Sequence, residues 1–317
     1  MRVAVLDDYQ NVATIMADWT VLPSDVTVTC FTDHITDPAA LGERLKGYEI
    51  VCIMRERTPF TRDVIERLTD CKLLVTTGMR NASLDVQACT DNGIVVCGTG
   101  GTVHATPELA FAMILSLARN IPREDTAMRQ GRWQLGVGLG LKGRTLGLLG
   151  LGRLGSMVAK YAQAFDMNLI AWSQNLTAEA AAEKGVRRVE KDELFQQSDF
   201  ISVHLVLSDR SRGIVGRREL ELMKPSAFIV NTSRGPIIDE DALADALAAG
   251  TIAGAGIDTF SQEPVAKTNR FLDLPNTVLT PHLGYVTAET YEVFYGDTVE
   301  CVAAWLKGEP VRVLNPQ

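Results

Sequence analysis

The sequence predicts an α/β protein made of two doubly wound parallel-sheet domains. Short apolar runs alternate with amphipathic helical patterns along the chain, and strands separated by helices pair in parallel through right-handed crossovers. The alternation restarts after about residue 140, where the first strand of the second set runs into a glycine-rich turn. A length of 317 residues also favours two domains over one.

The first half of the chain contains four predicted buried strands: MRVAVLD, EIVCIM, KLLVTTG and GIVVCG. The segments between them, PAALGERLKGY, TRDVIERLTD and SLDVQACTDN, have the periodicity of amphipathic helices. The stretch TPELAFAMILSLARN then predicts a long buried helix, with Thr106 as its N-cap and Pro107 at its first helical position.

The second half contains six predicted strands: RTLGLLG, NLIAW, FISVHLV, AFIVNTS, IAGAGID and TVLTPHL. A final helix, AETYEVFYGDTVECVAAWLKG, is closed by Gly308. Because this helix follows the second set of strands, its periodicity leaves open whether it returns to complete the first domain.

Charge and composition exclude several classes of partner. A net charge of -8 and a pI near 5.2 argue against nucleic acid and an anionic membrane as general partners. Asp7 and Asp8 stand where a signal peptide needs an apolar stretch, and the run ELAFAMILSLA is too short to span a bilayer. We therefore expect a cytoplasmic protein.

Cysteine and histidine spacing argues against a metal site. None of the cysteines has CxxC or metal-ligand spacing, so we expect reduced core thiols: Cys30, Cys52, Cys71, Cys89, Cys97 and Cys301. The histidines form no HxxxH or HExxH pattern, and no metal is expected. His104 and His204 are interpreted as packing or cleft-lining residues.

A glycine-rich turn indicates a nucleotide site. Gly150, Gly152 and Gly155 have G-x-G-x-x-G spacing, which is weak evidence by itself but here follows a strand and opens a helix. The three glycines would permit a tight turn, close approach of a pyrophosphate and close packing of helix on strand. The helix N-terminus and Arg153 would add positive charge toward the phosphates. A tight turn without a ligand is the structural alternative.

The end of the next strand bears on the choice of cofactor. An acidic residue there binds the adenosine ribose of NAD, but this chain has Trp172, Ser173, Gln174 and Asn175. The missing carboxylate favours NADP, while Arg187 and Arg188 are only distant candidates for its 2′-phosphate. The sequence leaves NAD or NADP open, with a lean to NADP.

Three later segments carry the candidate catalytic residues. Arg234 follows one strand in NTSRGPIID, Asp258 and Glu263 follow the next in GIDTFSQEP, and His282 follows a third in TPHLGY. Ligands bind at the carboxyl ends of parallel strands, where these groups suit hydride transfer on a 2-keto acid. An imidazolium beside a carboxylate can donate a proton, and a guanidinium can hold a carboxylate. Taken singly, each residue has an ordinary structural explanation, and only their ordered appearance together indicates a site.

That ordered set resembles the D-isomer-specific 2-hydroxyacid dehydrogenases, such as glyoxylate/hydroxypyruvate reductases and phosphoglycerate dehydrogenases. The resemblance covers nearly all of the chain, including LKGRTLGLLGLGRLG, SDFISVHLVLSDRSRGIVG, MKPSAFIVNTSRGPIIDEDAL, GIDTFSQEP, TPHLGY and WLKGEPVRVLNP. It implies a Rossmann cofactor domain over residues 101–286 and a flavodoxin-like split substrate domain over residues 1–100 plus 287–317. It also implies a homodimer.

The resemblance assigns the site residues. Arg234 anchors the substrate, His282 is the acid/base and Glu263 is its partner. The loop VTTGMRN implicates Thr77 and Gly78 in holding the substrate carboxylate. The implied cofactor contacts are Thr106, Gly150, Gly152, Arg153, Leu154, Gly155, Ser173, Leu205, Val206, Thr232, Ser233 and Asp258, the last holding the nicotinamide carboxamide.

Departures from the family pattern leave the substrate in doubt. Arg80 stands where many relatives have Asp, Ser173 replaces the usual acid, and Tyr285 replaces a small residue. Arg55, in MRERTPF, is a candidate substrate contact, although a surface role for Arg55 or Arg80 is equally consistent with the sequence.

The leading hypothesis is a reductase for a small 2-keto acid. A short phosphoglycerate dehydrogenase is the alternative, since the chain ends soon after the terminal helix and we expect no appended regulatory domain. A formate dehydrogenase is disfavoured by the short N-terminal region. From another class, a nucleotide-sensing scaffold like the family's transcriptional corepressors is disfavoured by the acidic composition and the lack of a disordered tail.

Overall fold

The computed structural model describes residues 1–315, so Pro316 and Gln317, with which the predicted first domain ends, lie outside the described residues. Its strands are β1 (Arg2–Val5), β2 (Thr27–Cys30), β3 (Ile50–Ile53), β4 (Leu73–Thr76), β5 (Val95–Gly98), β6 (Thr145–Leu149), β7 (Asn168–Trp172), β8 (Arg187–Arg188), β9 (Phe200–Val203), β10 (Phe228–Asn231), β11 (Gly254–Ile257) and β12 (Thr277–Leu279).

The α-helices are α1 (Ala13–Met16), α2 (Pro38–Arg44), α3 (Arg62–Ile65), α4 (Val86–Asp91), α5 (Ala105–Ala118), α6 (Ile121–Arg129), α7 (Arg153–Ala164), α8 (Ala178–Ala182), α9 (Lys191–Gln197), α10 (Arg217–Leu222), α11 (Glu240–Ala248) and α12 (Ala288–Leu306). Short 3-10 helices cover Trp19–Val21, Gly235–Ile237 and Arg270–Asp273. Within residues 1–315, no helix is long and apolar enough to cross a membrane.

The chain divides into two compact units. The first comprises Met1–Thr102 and the C-terminal segment that starts at Thr287, and the second comprises Val103–Val286. The first sheet has the strand order β2-β1-β3-β4-β5, and the second has β12-β11-β10-β9-β6-β7-β8. All pairings between these strands are parallel. The predicted fold class, with a flavodoxin-like order in one unit and a Rossmann order in the other, is confirmed.

The second unit has an apolar core on each face of its sheet. Successive residues of a strand point to opposite faces, and the buried residues divide accordingly. Leu149, Ile201 and Ile229 belong to a core that includes residues of α9, α10 and α11. Leu148 and Val230 belong to a second core that includes residues of α5, α7 and α8. Because both faces are covered, the strands are apolar runs without polar alternation, which is why the sequence identifies them.

Several helices begin where a side chain accepts a hydrogen bond from the first turn. Asp37 caps α2, Asp85 caps α4, Asp239 caps α11 and Thr287 caps α12. The predicted cap of α5 is wrong. That helix begins two residues earlier than predicted, at Ala105 after the N-cap His104, and Thr106 lies inside its first turn.

Two strands lack the apolar run on which the predictions rest. β2 is an edge strand whose residues are exposed or half-buried, and β8 has only two residues. Edge strands are wetter than central ones, so hydrophobic runs identify them poorly.

The C-terminal segment completes the first unit. Helix α12 contacts β4, β5 and α1, and Gly308 takes a positive φ of 81° just beyond its end. The chain then pairs with the edge of β5, where Leu314 N donates to Val96 O at 2.8 Å. The buried Asn315 accepts from Val96 N at 2.7 Å and donates to Ile94 O at 2.9 Å.

Asn315 should therefore contribute to the stability of the first unit. Asn315→Ala leaves a buried N–H and a buried carbonyl without partners, so we expect the free energy of unfolding to fall by about 2 kcal/mol. Chemical denaturation of both proteins measures this difference. Glu309→Ala, an exposed control nearby, should change stability by less than about 0.5 kcal/mol. Equal stability of Asn315→Ala and wild type would contradict the role of Asn315.

Candidate active site and cofactor site

The glycine-rich turn joins β6 to α7 at the carboxyl edge of the second sheet. Gly150 has φ 106°, and a Cβ added there would lie 2.7 Å from His204 O. A Cβ on Gly155 would lie 2.2 Å from Gly150 O, so helix and turn are in close backbone contact. A Cβ on Gly152 meets nothing within 4 Å, which leaves that side of the turn open to a ligand.

The first turn of α7 offers backbone donors beside this opening. Gly152 is the N-cap and makes no side-chain capping bond, and Ser156 N donates to Gly152 O at 2.9 Å. Ser156 N makes the first hydrogen bond of the helix. The N–H groups of Arg153, Leu154 and Gly155 come before it in the chain and have no acceptor within the helix. Such donors, with the helix dipole behind them, fit a pyrophosphate. The turn lies where β6 and β9 adjoin, the point at which the strand order reverses.

The end of β7 lies next to the turn, because Gly150 N donates to Trp172 O at 2.9 Å. Ser173 follows directly and is half-buried. The two distant candidates for a 2′-phosphate contact are already paired with acids. Arg187 Nη1 lies 2.9 Å from Glu193 Oε1, and Arg188 is paired with Glu190.

Lys184 is a basic residue near this turn that no sequence motif identifies. Lys184 Nζ donates to Leu151 O at 2.8 Å, so an ammonium group contacts the glycine-rich turn itself. Lys184 lies in the turn after α8, outside every motif, and nothing in the sequence pattern distinguishes it from other surface lysines.

His282 and Glu263 form a close pair. His282 Nδ1 lies 2.6 Å from Glu263 Oε2, and both side chains are partly exposed. Glu263 Oε1 accepts from Phe260 N at 2.8 Å, which fixes the carboxylate. A carboxylate accepts the hydrogen on Nδ1, so the other ring nitrogen, Nε2, is left for a substrate. The rings of Tyr285 and His282 form a T-shaped contact with centroids 5.3 Å apart.

Asp258 holds the loop that carries His282. Its carboxylate is fully buried and accepts hydrogen bonds from Thr280 Oγ1 at 2.6 Å, Leu283 N at 2.7 Å and Gly284 N at 3.0 Å. Burial raises the pKa of Asp258, and these hydrogen bonds together with the charge of His282 oppose that rise. The resemblance implies that the Asp258 carboxylate holds the nicotinamide carboxamide. In the structure, most of the hydrogen bonds that this carboxylate can accept come from its own loop.

Arg234 follows β10 and opens a short 3-10 helix. Its Nη1 donates to Ser233 O at 2.7 Å, and Asn231 Nδ2 donates to Arg234 O at 2.9 Å. A Cβ on the next residue, Gly235, would lie 2.2 Å from the backbone of Phe260. The loop of Arg234 therefore packs against the loop of Glu263, and the structure brings these two candidate segments together.

The remaining predicted cofactor residues surround the same strand ends. Ser233 Oγ donates to Val203 O at 2.7 Å, and Thr106 Oγ1 donates to Gly284 O at 2.8 Å. Leu205 is half-buried, whereas Val206 is 85% exposed. The buried hydroxyl of Thr232 has no hydrogen-bond partner within residues 1–315. Because buried polar atoms are normally paired, an unpaired hydroxyl here fits a site that receives a polar ligand.

The predicted substrate residues of the first unit form their own cluster. Arg55, with φ 49°, donates its N–H to Thr77 Oγ1 at 2.8 Å, and its guanidinium lies where a Cβ of Gly78 would be. Thr77 N donates to Ile53 O at 3.1 Å and Gly78 N to Thr99 Oγ1 at 2.8 Å. The two backbone donors implied to hold a carboxylate are thus engaged within the unit. Arg80 is exposed.

Other candidate groups take structural positions. The six cysteines are all free. Among the described residues, no group of three His, Cys, Asp or Glu side chains could hold a metal ion. His104 is the N-cap of α5, and His204 Nε2 lies 2.8 Å from Ser202 Oγ. His204 Nδ1 is buried and has no partner in the part of the chain that the structure describes.

Comparison with known proteins identifies relatives of the whole arrangement. The family model for D-isomer specific 2-hydroxyacid dehydrogenase, NAD binding domain, matches residues 111–284, more than half of the 317 residues. The glyoxylate reductase of Thermococcus litoralis is 38% identical over 265 residues, which cover 80% of this chain and 80% of that protein.

A D-3-phosphoglycerate dehydrogenase of Methanocaldococcus jannaschii is 38% identical over 273 residues, covering 85% of this chain and 52% of that protein. The chain thus spans about half the length of that relative. The solved structure of a phosphoglycerate oxidoreductase from Vibrio cholerae has a TM-score of 0.92 and 35% identity, covering 97% of this chain and 99% of that chain.

His204 should make stability depend on pH. Burial lowers the pKa of His204 from 6.5 to about 4, so the folded protein keeps the ring neutral while the unfolded chain takes up a proton. The unfolded state binds more protons between these two values, so the free energy of unfolding falls as the pH falls through that window. Thermal melts from about pH 7 to about pH 4 should show a smaller loss in His204→Gln than in wild type. Parallel pH profiles would contradict this assignment.

Proposed function

Because the chain belongs to the D-isomer specific 2-hydroxyacid dehydrogenase family, we propose that it reduces a small 2-keto acid to the D-2-hydroxy acid with a nicotinamide cofactor. We propose a substrate of the glyoxylate or hydroxypyruvate type, which the likeness to a glyoxylate reductase supports. The observation that carries the chemistry is the contact of 2.6 Å between His282 Nδ1 and Glu263 Oε2.

His282 is the proposed proton donor. Glu263 accepts the hydrogen on Nδ1 and stabilises the positive charge of the protonated ring, so Nε2 holds the proton for the substrate carbonyl oxygen. Because Phe260 N holds the other carboxylate oxygen, the pair keeps its orientation while the proton moves. When bound, the nicotinamide supplies the hydride that reaches the carbon of the same carbonyl group.

Arg234 is the proposed substrate anchor. Its guanidinium is planar and carries paired donors, so it can hold a carboxylate with two parallel hydrogen bonds. Its backbone carbonyl is fixed by Asn231, which limits the motion of the segment. In the first unit, Arg55, Thr77 and Gly78 are proposed to contact the substrate, with the Arg55 guanidinium as the charged group.

The proposed cofactor site lies along the carboxyl edge of the second sheet. The pyrophosphate would bind at the first turn of α7, and the nicotinamide end near the unpaired Thr232 hydroxyl. The proposed set is Thr106, Gly150, Gly152, Arg153, Leu154, Gly155, Ser173, Leu205, Val206, Thr232, Ser233 and Asp258. We propose NADP as the preferred cofactor, since no carboxylate follows β7.

A phosphoglycerate dehydrogenase activity is the second candidate. The 38% identity to the Methanocaldococcus jannaschii enzyme favours it, and Arg55 offers a cation for a second anionic group. We also propose a reducing, cytoplasmic compartment, which the six free cysteines support.

A spectrophotometric screen tests the proposed function. The purified protein is mixed with NADH or NADPH and one of six acids: glyoxylate, hydroxypyruvate, pyruvate, phenylpyruvate, 2-ketoglutarate or phosphohydroxypyruvate. Loss of reduced-nicotinamide absorbance with one acid identifies substrate and cofactor together. Preference for phosphohydroxypyruvate would favour the second candidate. Cofactor binding without turnover of any of the acids would contradict a reductase of this substrate class.

His282→Ala should abolish turnover. The variant removes the proton donor, so we expect kcat to fall by at least about 100-fold while the Kd of the cofactor changes little. Steady-state kinetics and fluorescence titration of the reduced cofactor measure the two effects separately. Glu263→Gln serves as the matched comparison, because it keeps the shape but removes the charge and should alter the pH profile of kcat. Turnover at the wild-type rate in His282→Ala would overturn the assignment.

We propose that a second copy of this chain covers α6 and the loop that follows it. This segment has four apolar side chains that are at least half exposed: Ile121, Met128, Trp133 and Val137. We choose a second copy as the partner because homodimers are common in the family. Trp133→Glu should convert the dimer to monomer in light scattering after size exclusion. Leu272→Glu, at another exposed apolar position, is the control and should remain dimeric. A monomeric wild-type protein would contradict the proposal.

A further inference from the structure

Lys184 places a cation on the glycine-rich turn. Its ammonium group donates to Leu151 O at 2.8 Å, between the two glycines that open the nucleotide site. An ammonium group has three hydrogens, so this bond leaves two of them for another acceptor. Lys184 forms no ion pair with any acid of residues 1–315.

The position of Lys184 is fixed from two sides. Gln163, on α7, donates its Nε2 hydrogen to Lys184 O at 2.9 Å. The adjoining Gly185 has φ 67°, and a Cβ there would lie 2.7 Å from Gln163 Nε2. The backbone of the lysine is thus tied to α7, and its side chain is tied to the turn that precedes the same helix.

The adenosine ribose of a bound dinucleotide would lie beside this lysine. In this fold the ribose 2′-position is recognised at the end of the second strand, which here is β7. Gly150 contacts Trp172 at the end of β7, and the neighbouring Leu151 contacts Lys184. Consecutive residues of one turn therefore contact the strand end that Ser173 follows and the side chain of Lys184.

The charges near Ser173 and Lys184 favour the binding of a 2′-phosphate over the binding of a 2′-hydroxyl. Residues 173–177 read SQNLT and include no acid. The arginines of β8 are paired with Glu193 and Glu190, whereas the Lys184 ammonium is paired with a carbonyl that carries no formal charge.

We propose that Lys184 is the specificity-determining residue that recognises the 2′-phosphate of NADP, with Ser173 as a hydroxyl donor beside it. This inference rests on the proposed function, which supplies the cofactor class. Lys184 binds the phosphate with its two remaining hydrogens while the third keeps the ammonium on Leu151. The arginines of β8 are paired with acids, so the proposed preference for NADP arises from recognition by Lys184.

Calorimetric titration with two nucleotides tests the role of Lys184 without turnover. We expect wild type to bind 2′,5′-ADP at least about tenfold more tightly than 5′-AMP, since a charged hydrogen bond contributes that much. Lys184→Met should lose most of this margin, because only Ser173 remains as a donor, and should bind 5′-AMP as wild type does. Lys184→Arg should retain most of the margin. Lys160→Met, which removes one exposed positive charge from α7, is the control and should bind both nucleotides as wild type does.

Two results would overturn the inference. Equal weakening of both nucleotides in Lys184→Met would mean that the lysine only supports the turn. Absence of any margin in the wild-type protein would mean that no 2′-phosphate is recognised, while NADH-dependent reduction of a keto acid would still support the proposed function. Conversely, a preserved margin for 2′,5′-ADP in a protein that reduces no keto acid would leave Lys184 recognition intact and contradict the reductase.

Discussion

The buried carboxylate of Asp258 organises the proposed catalytic loop. An ionised carboxylate with no exposure is costly unless its lone pairs are satisfied, and here three donors from residues 280–284 satisfy them. The backbone N–H of His282 also donates to Asp258 O, so the loop is tied to the end of β11 at several points. In the loop held by these bonds, His282 Nδ1 lies 2.6 Å from Glu263 Oε2.

The glycine-rich turn and the proposed catalytic loops lie at the same edge of the second sheet. β6 and β9 adjoin where the strand order reverses, and Gly150 packs on the backbone of His204 at that point. Farther along the same edge, beyond β10, Gly235 packs on the backbone of Phe260. This contact brings the loops of Arg234 and Glu263 together. Close backbone approach, which only glycine permits at these distances, therefore sets the spacing between the proposed groups.

Ion pairing distinguishes the basic side chains whose charge is offset by a carboxylate from those whose charge is not. Arg187 and Arg188 have carboxylate partners, and their charge is largely neutralised. Lys184 is hydrogen-bonded to a carbonyl, which carries no formal charge to offset that of the ammonium group. In the first unit, the Arg55 guanidinium lies against Gly78, and its Nε is 3.6 Å from Glu56 Oε2, so part of its charge is offset by an acid. A count of basic residues in the sequence cannot make these distinctions, because they depend on which acids fold beside them.

By itself, the sequence determined the fold class, the family and the order of the candidate residues. Buried parallel strands must be apolar on both faces, so their runs are visible, and the G-x-G-x-x-G spacing and the His, Glu and Arg segments are local in the chain. Only the tertiary structure decided that Thr106 donates to Gly284 instead of capping α5, that β2 forms the sheet edge, and that Lys184 contacts a turn 33 residues away. Each of these depends on contacts between segments remote in sequence, for which spacing and periodicity carry no signal.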